Sequence, residues 1–126
     1  MITSIIQVAI GGAIGAVGRY LTGVAAVRVM GHGYPWGTLT VNIVGSFLMG
    51  VLIIVLMGKD GGVRMAPLLM TGMLGGFTTF SAFSLDALTI FERGQVGQAA
   101  LYVIASVVLS LLAIFLGVMV ARGVWT

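Results

Sequence analysis

The chain has 126 residues, 60% hydrophobic and 7% charged, whereas a soluble domain carries about a quarter charged residues. That composition excludes a water-soluble globule and predicts an all-α membrane protein. Four spans of about 22 residues each occupy about 88 positions, which leaves short loops, a single transmembrane domain over residues 1–126 and no room for a soluble one. With no cysteine, disulfides, thiolate metal sites and thiol nucleophiles are excluded. The net charge of +3 rests on scattered loop cations; no basic patch interleaved with aromatics exists, so nucleic acid is excluded as a partner.

The charges leave four long uncharged stretches, 1–18, 29–58, 65–85 and 94–121. Helix one is predicted over about Thr3–Val27. No Lys or Arg precedes its apolar run and no polar cleavage region follows, so it reads as a helix of the mature protein and not a cleaved signal. Gly11, Gly15 and Gly18, spaced by four and three, let another backbone approach closely. Arg19 near one end either snorkels to the interface or faces a water-filled vestibule and concentrates anions. The segment from Met30 to Gly37 contains Pro35, which ends an extended stretch, and Tyr34 and Trp36, suited to an interfacial aromatic belt.

Helix two, Gly37–Met57, carries Thr38, Asn42 and Ser46 every four residues, hence on one face. Single hydroxyls of this kind often bond a helix backbone. An amide at depth needs partners for two donors and an acceptor. The next loop, Gly58–Arg64, holds Lys59 and the pair Gly61 and Gly62.

Helix three, Ala66–Phe91, has its uncharged stretch centred on residue 75, at Gly75-Gly76. Unwinding there is predicted to leave carbonyls and N–H groups unpaired near the bilayer centre, tolerable only where they are buried in protein, bind an ion or line a cavity. Phe80 and Phe83 share a face, with Ser81 and Ser84 on a neighbouring one. Ring edges are partly positive and attract a desolvated anion without a fixed charge; the same pair also serves as ordinary packing. Glu92-Arg93-Gly94 forms the last turn. Helix four, Val96–Ala121, repeats a polar line with Tyr102, Ser106 and Ser110.

Lys59, Arg64 and Arg122 flank one side of these spans, and Arg19, Arg28 and Arg93 the other. A charge bias near zero gives no orientation by the positive-inside rule, which fits insertion in both directions and antiparallel pairing of two copies.

The run Gly75-Gly76-Phe77-Thr78-Thr79-Phe80-Ser81-Ala82-Phe83-Ser84, with Gly37–Asn42 and Gly12–Arg19 upstream, resembles the small dual-topology fluoride channels of the Fluc family over nearly the whole chain. The resemblance implies an antiparallel homodimer with two fluoride pores at its interface, passive export of fluoride across the bacterial cytoplasmic membrane, and a structural sodium ion on the two-fold axis. Position by position it implies that Phe80 and Phe83 present ring edges to fluoride and that Asn42 is the pore asparagine. It also implies that Ser81, Ser106, Ser110, Tyr102 and Thr38 lie along or near the polar path, and that Arg19 stands near a vestibule. The main-chain carbonyls of Gly75 and Thr78 would hold sodium. Ala82 stands where many relatives have threonine, and Asp86 where a glutamate is common.

Three other classes compete. A proton-coupled small multidrug exporter needs a membrane-embedded carboxylate, but Asp86 and Glu92 sit at a helix end and helix one has no acid. A non-conducting assembly or lysis protein would use the polar lines for packing alone. An enzyme would need a positioned nucleophile, which is missing beside the lone histidine, His32.

Overall fold

The computed structural model describes residues 1–58 and 62–125. Among them are helices α1 (Ile2–Met30), α2 (Trp36–Met57), α3 (Gly75–Phe77), α4 (Ser81–Glu92) and α5 (Val96–Trp125), a 3₁₀ turn at Gly62–Met65 and a π-helical segment at Pro67–Leu74; there are no strands. Four stretches are long and apolar enough to cross a membrane: Ile2–Met30, Trp36–Met57, Gly62–Glu92 and Val96–Val124. The chain is an all-helical, multi-pass membrane protein. The predicted Lys59 and Gly61 of the second loop lie outside the described residues.

α1 overruns its predicted end because capping, not charge, decides where it stops. α1 continues past Arg28 to Met30, and Gly31 then turns the chain at φ 83° while its N–H donates to Val27 O at 2.8 Å. Just past α4, Gly94 also turns the chain at φ 83°. Gly94 N–H donates to Phe91 O and Gln95 N–H to Ile90 O, the paired closure that a left-handed glycine permits.

The third span changes neighbours halfway. Its first part, Pro67–Phe77, packs on α1, whereas α4 packs on α5; α2 runs between and touches both. The first contact is backbone to backbone. A Cβ at Gly11 would run into Leu68 O, one at Gly15 into Met73 O, and one at Gly76 would come within 2.8 Å of Gly12 O. Gly11 and Gly15 thus perform the close approach expected of their spacing, while Gly18 meets the Phe77 ring. The second contact is made by side chains: Phe83, Ile90, Leu39, Ala99 and Tyr102 form a buried cluster, with Tyr34 against it. α2 and α5 also meet at glycines, Gly50 against Ile114 O and Gly117 against Phe47 O.

Gly75 and Gly76 are helical, Gly75 at φ −63°, ψ −36°. The predicted unwinding at this pair is not where the chain departs from helix. The departure falls three residues later, at Thr78, which is extended at ψ 158°. The glycines serve the approach to α1 instead.

Candidate functional site

Thr78 leaves the helix because its neighbour's amide is captured from another helix. The Asn42 carboxamide, on α2, holds the Thr79 peptide from both ends: Thr79 N–H donates to Asn42 Oδ1 at 2.8 Å, and Asn42 Nδ2 donates to Thr79 O at 2.9 Å. Thr79 Oγ1 then accepts Ala82 N–H at 3.1 Å, as a threonine does at a helix N-terminus, and α4 begins. The Thr78 hydroxyl bonds back to Leu74 O at 2.9 Å, and its methyl packs on Gly45 of α2, where a Cβ would collide with it.

These bonds redirect a run of carbonyls. In an unbroken helix the carbonyls of residues 75–79 would accept the amides of residues 79–83. Here Gly76 O accepts the Arg19 Nε–H at 3.4 Å and Thr79 O accepts Asn42. Thr79 N–H and Ala82 N–H, the ordinary donors to Gly75 O and Thr78 O, go instead to Asn42 and Thr79 side chains. Arg19, half-buried on α1, thereby meets one exposed carbonyl while lining a hollow of about 510 Å³ with Arg28, Thr38 and Thr79.

Beside the turn lies an open hollow of about 420 Å³, which brings together Asn42, Phe80, Phe83, Ser106 and Ser110, along with Gly75 and Thr78. None of its lining residues is charged. Phe80 is 77% exposed and Phe83 buried, their ring centroids 5.5 Å apart and tilted by 50°. Ser106 Oγ is buried and without a hydrogen-bond partner, an arrangement that is costly unless a ligand or water completes it. Ser46, on the same α2 face as Asn42, also lines the hollow; the four-residue spacing marked it, although the sequence-predicted site omits it.

Besides Arg19, three predicted residues stand outside this hollow. Ser81 is exposed at the start of α4, its Oγ 3.5 Å from Thr79 Oγ1. Tyr102 is fully buried behind Phe83, ring centroids 5.3 Å apart, and its hydroxyl donates to Asp86 Oδ2 at 3.2 Å. Thr38, one helical turn from Asn42, lines the Arg19 hollow and also a third one of about 250 Å³ with His32, Tyr34, Asp86 and Arg93. Tyr102 therefore lies between Phe83 of the uncharged hollow and Tyr34 and Asp86 of the charged one. Tyr34 meets it edge-on, centroids 5.6 Å apart; burial pushes the Tyr34 phenol pKa up, so it remains a neutral hydroxyl at physiological pH. Sequence reasoning missed Thr79, although a threonine three residues before Ala82 is a recognisable helix-start signal.

Comparison with known proteins adds a family and relatives. The family described as "CrcB-like protein, Camphor Resistance (CrcB)" matches residues 6–118. A Cereibacter sphaeroides protein named fluoride-specific ion channel FluC is 62% identical over 123 residues, covering 98% of each chain. Proteins of the same name from Ruegeria sp. (strain TM1040) and Agrobacterium fabrum are similar too. They are 56% identical over 127 residues, covering all of both chains, and 52% identical over 123 residues, covering 97% of this chain and 98% of the relative.

Proposed function

The chain belongs to the CrcB-like family, and from that premise we propose that it is a fluoride-selective passive ion channel, not an enzyme, that lowers cytoplasmic fluoride across the bacterial inner membrane. Fluoride holds its water strongly, so a selective path must replace that water with closely placed donors. The observation that carries this reading is the buried, partnerless Ser106 hydroxyl in an uncharged hollow edged by Phe80 and Phe83. A hydroxyl with no protein acceptor is free to donate to an anion. Ring edges add attraction without a formal charge, which lets the ion leave again. Asn42, with one amide hydrogen beyond its bond to Thr79, and Ser110 extend the donor set. Arg19 at its separate hollow supplies positive potential near one mouth. The exporter alternative is not supported: the relatives are named fluoride channels, and Asp86 accepts the Tyr102 hydroxyl.

The working unit in this reading is an antiparallel homodimer with two pores. The balanced flanking charge supports both orientations, and the open hollow with Phe80 at its exposed edge is a surface that a second copy would complete. The turn at Thr78 stands next to residue 77, the midpoint of the Gly62–Glu92 span, and so interrupts the third span near the bilayer centre. Sodium is the implied resident ion. The donor set fits it, because Gly75 and Thr78 line one hollow and their usual amide donors are engaged elsewhere, leaving hard oxygen ligands in an uncharged setting. The Gly75 and Thr78 carbonyls would hold the ion, which would supply positive charge to an otherwise uncharged hollow.

The test is flux from liposomes containing the purified protein. Fluoride should leave and chloride should not; equal efflux of the two halides overturns the selectivity.

A further inference from the structure

The turn in the third span is made by two side chains that compete for backbone amides, and each competition releases one carbonyl of the implied cation site. Asn42 Oδ1 takes Thr79 N–H, the amide that would otherwise close on Gly75 O; Thr79 Oγ1 takes Ala82 N–H, the amide that would otherwise close on Thr78 O. We propose that Asn42 and Thr79 are positioning residues for a sodium ion: by capturing these two amides they hold the Gly75 and Thr78 carbonyls open as ligands. The assignment rests on the reading of those carbonyls as the sodium ligands and gives it a cause within this chain.

The rest of the turn agrees with a device for releasing carbonyls selectively. Two other carbonyls without helical donors are answered by side chains, Gly76 O by Arg19 and Thr79 O by Asn42 Nδ2. The Thr78 hydroxyl is turned back to Leu74 O, so it does not contend for the site. Asn42 thus has a task distinct from donating to fluoride. Its Oδ1 is an acceptor, useless to an anion, and it is spent on Thr79 N–H. Removing the acceptor at either position lets the amide return to its carbonyl, so a vacated ligand becomes an ordinary helix hydrogen bond.

The experiment follows thermal unfolding of the full chain in detergent while sodium is titrated against a constant total of sodium plus N-methylglucamine. The wild type should gain stability with sodium in a saturable way. Thr79→Val and Asn42→Leu should raise the sodium concentration for half-maximal stabilisation about tenfold, since a returning hydrogen bond competes with the ion. Thr79→Ser, which keeps the acceptor, should titrate like the wild type; a purely structural role for the threonine methyl would instead make Ser resemble Val. If Thr79→Val does not fold, judged by helical circular dichroism and elution, Thr79→Ala removes the hydroxyl in its place. A wild type indifferent to sodium overturns the cation reading itself. A wild type that responds, with Val and Leu variants titrating identically to it, overturns the positioning role alone.

Discussion

Pro67–Phe77 lies against α1 with glycines facing carbonyls, whereas Ser81–Glu92 meets α5 through the rings of Phe83 and Tyr102 and a hydroxyl bonded to Asp86. In lipid, helices gain little from hiding apolar side chains from one another, so close backbone approach and polar contacts carry association. The first part of the span uses the former at Gly11, Gly15 and Gly76. The second uses side chains, some of which face the open hollow. A span divided this way has an anchored part and a part whose side chains can serve an ion.

The sharpest way to break that contrast is at Gly15. A Cβ there meets Met73 O and comes within 2.8 Å of Phe77 N, and neither atom can swing aside as a side chain would. Gly15→Ala should destabilise the protein by roughly 3 kcal/mol, the upper range for overpacking, read as a lowered midpoint in denaturant unfolding. Gly12→Ala, on the same helix with nothing within 4 Å of the added carbon, should change it by less than about 0.5 kcal/mol. Equal losses at the two positions would mean that α1 is sensitive to any glycine replacement, not to backbone contact.

The same contrast explains what the sequence made legible. Four spans were readable because their uncharged length matches a bilayer, and the α1 glycine face because spacings of four and three repeat along a helix. The place where the third span leaves the helix was misread by three residues. Gly75-Gly76 signals a weak point locally, yet those glycines are held helical against α1, and the turn is decided by Asn42, 37 residues away from Thr79. No local pattern encodes a side chain arriving from another helix. Hydroxyl lines were half legible for a related reason. Asn42 and Ser46 reach one hollow with Ser106 and Ser110, but Thr38 faces another, because Phe83 and Tyr102 fill the space between.

A smaller effect sharpens the second half. Tyr102→Phe keeps the ring against Phe83 and Tyr34 and removes the hydroxyl that donates to Asp86. The cost in unfolding free energy should be about 1.5 kcal/mol, that of a hydrogen bond to a charged group. A loss as large as that at Gly15 would show that this half depends on the polar contact more than on its rings.

The smallest effect on stability is expected at Phe80. It is 77% exposed and does not belong to the buried cluster around Phe83 and Tyr102, so Phe80→Ile should leave unfolding within about 0.5 kcal/mol of the wild type. Fluoride efflux from liposomes should nevertheless fall about tenfold, the equivalent of about 1.4 kcal/mol in a barrier, because isoleucine has the bulk but no partly positive edge. The two readouts separate packing from conduction. Unchanged efflux would remove the ring edge from the mechanism. A large stability loss would place Phe80 with Phe83 among the residues that hold the second half together, and the division between anchored and serving residues would then run along α4 instead of between the two parts of the span.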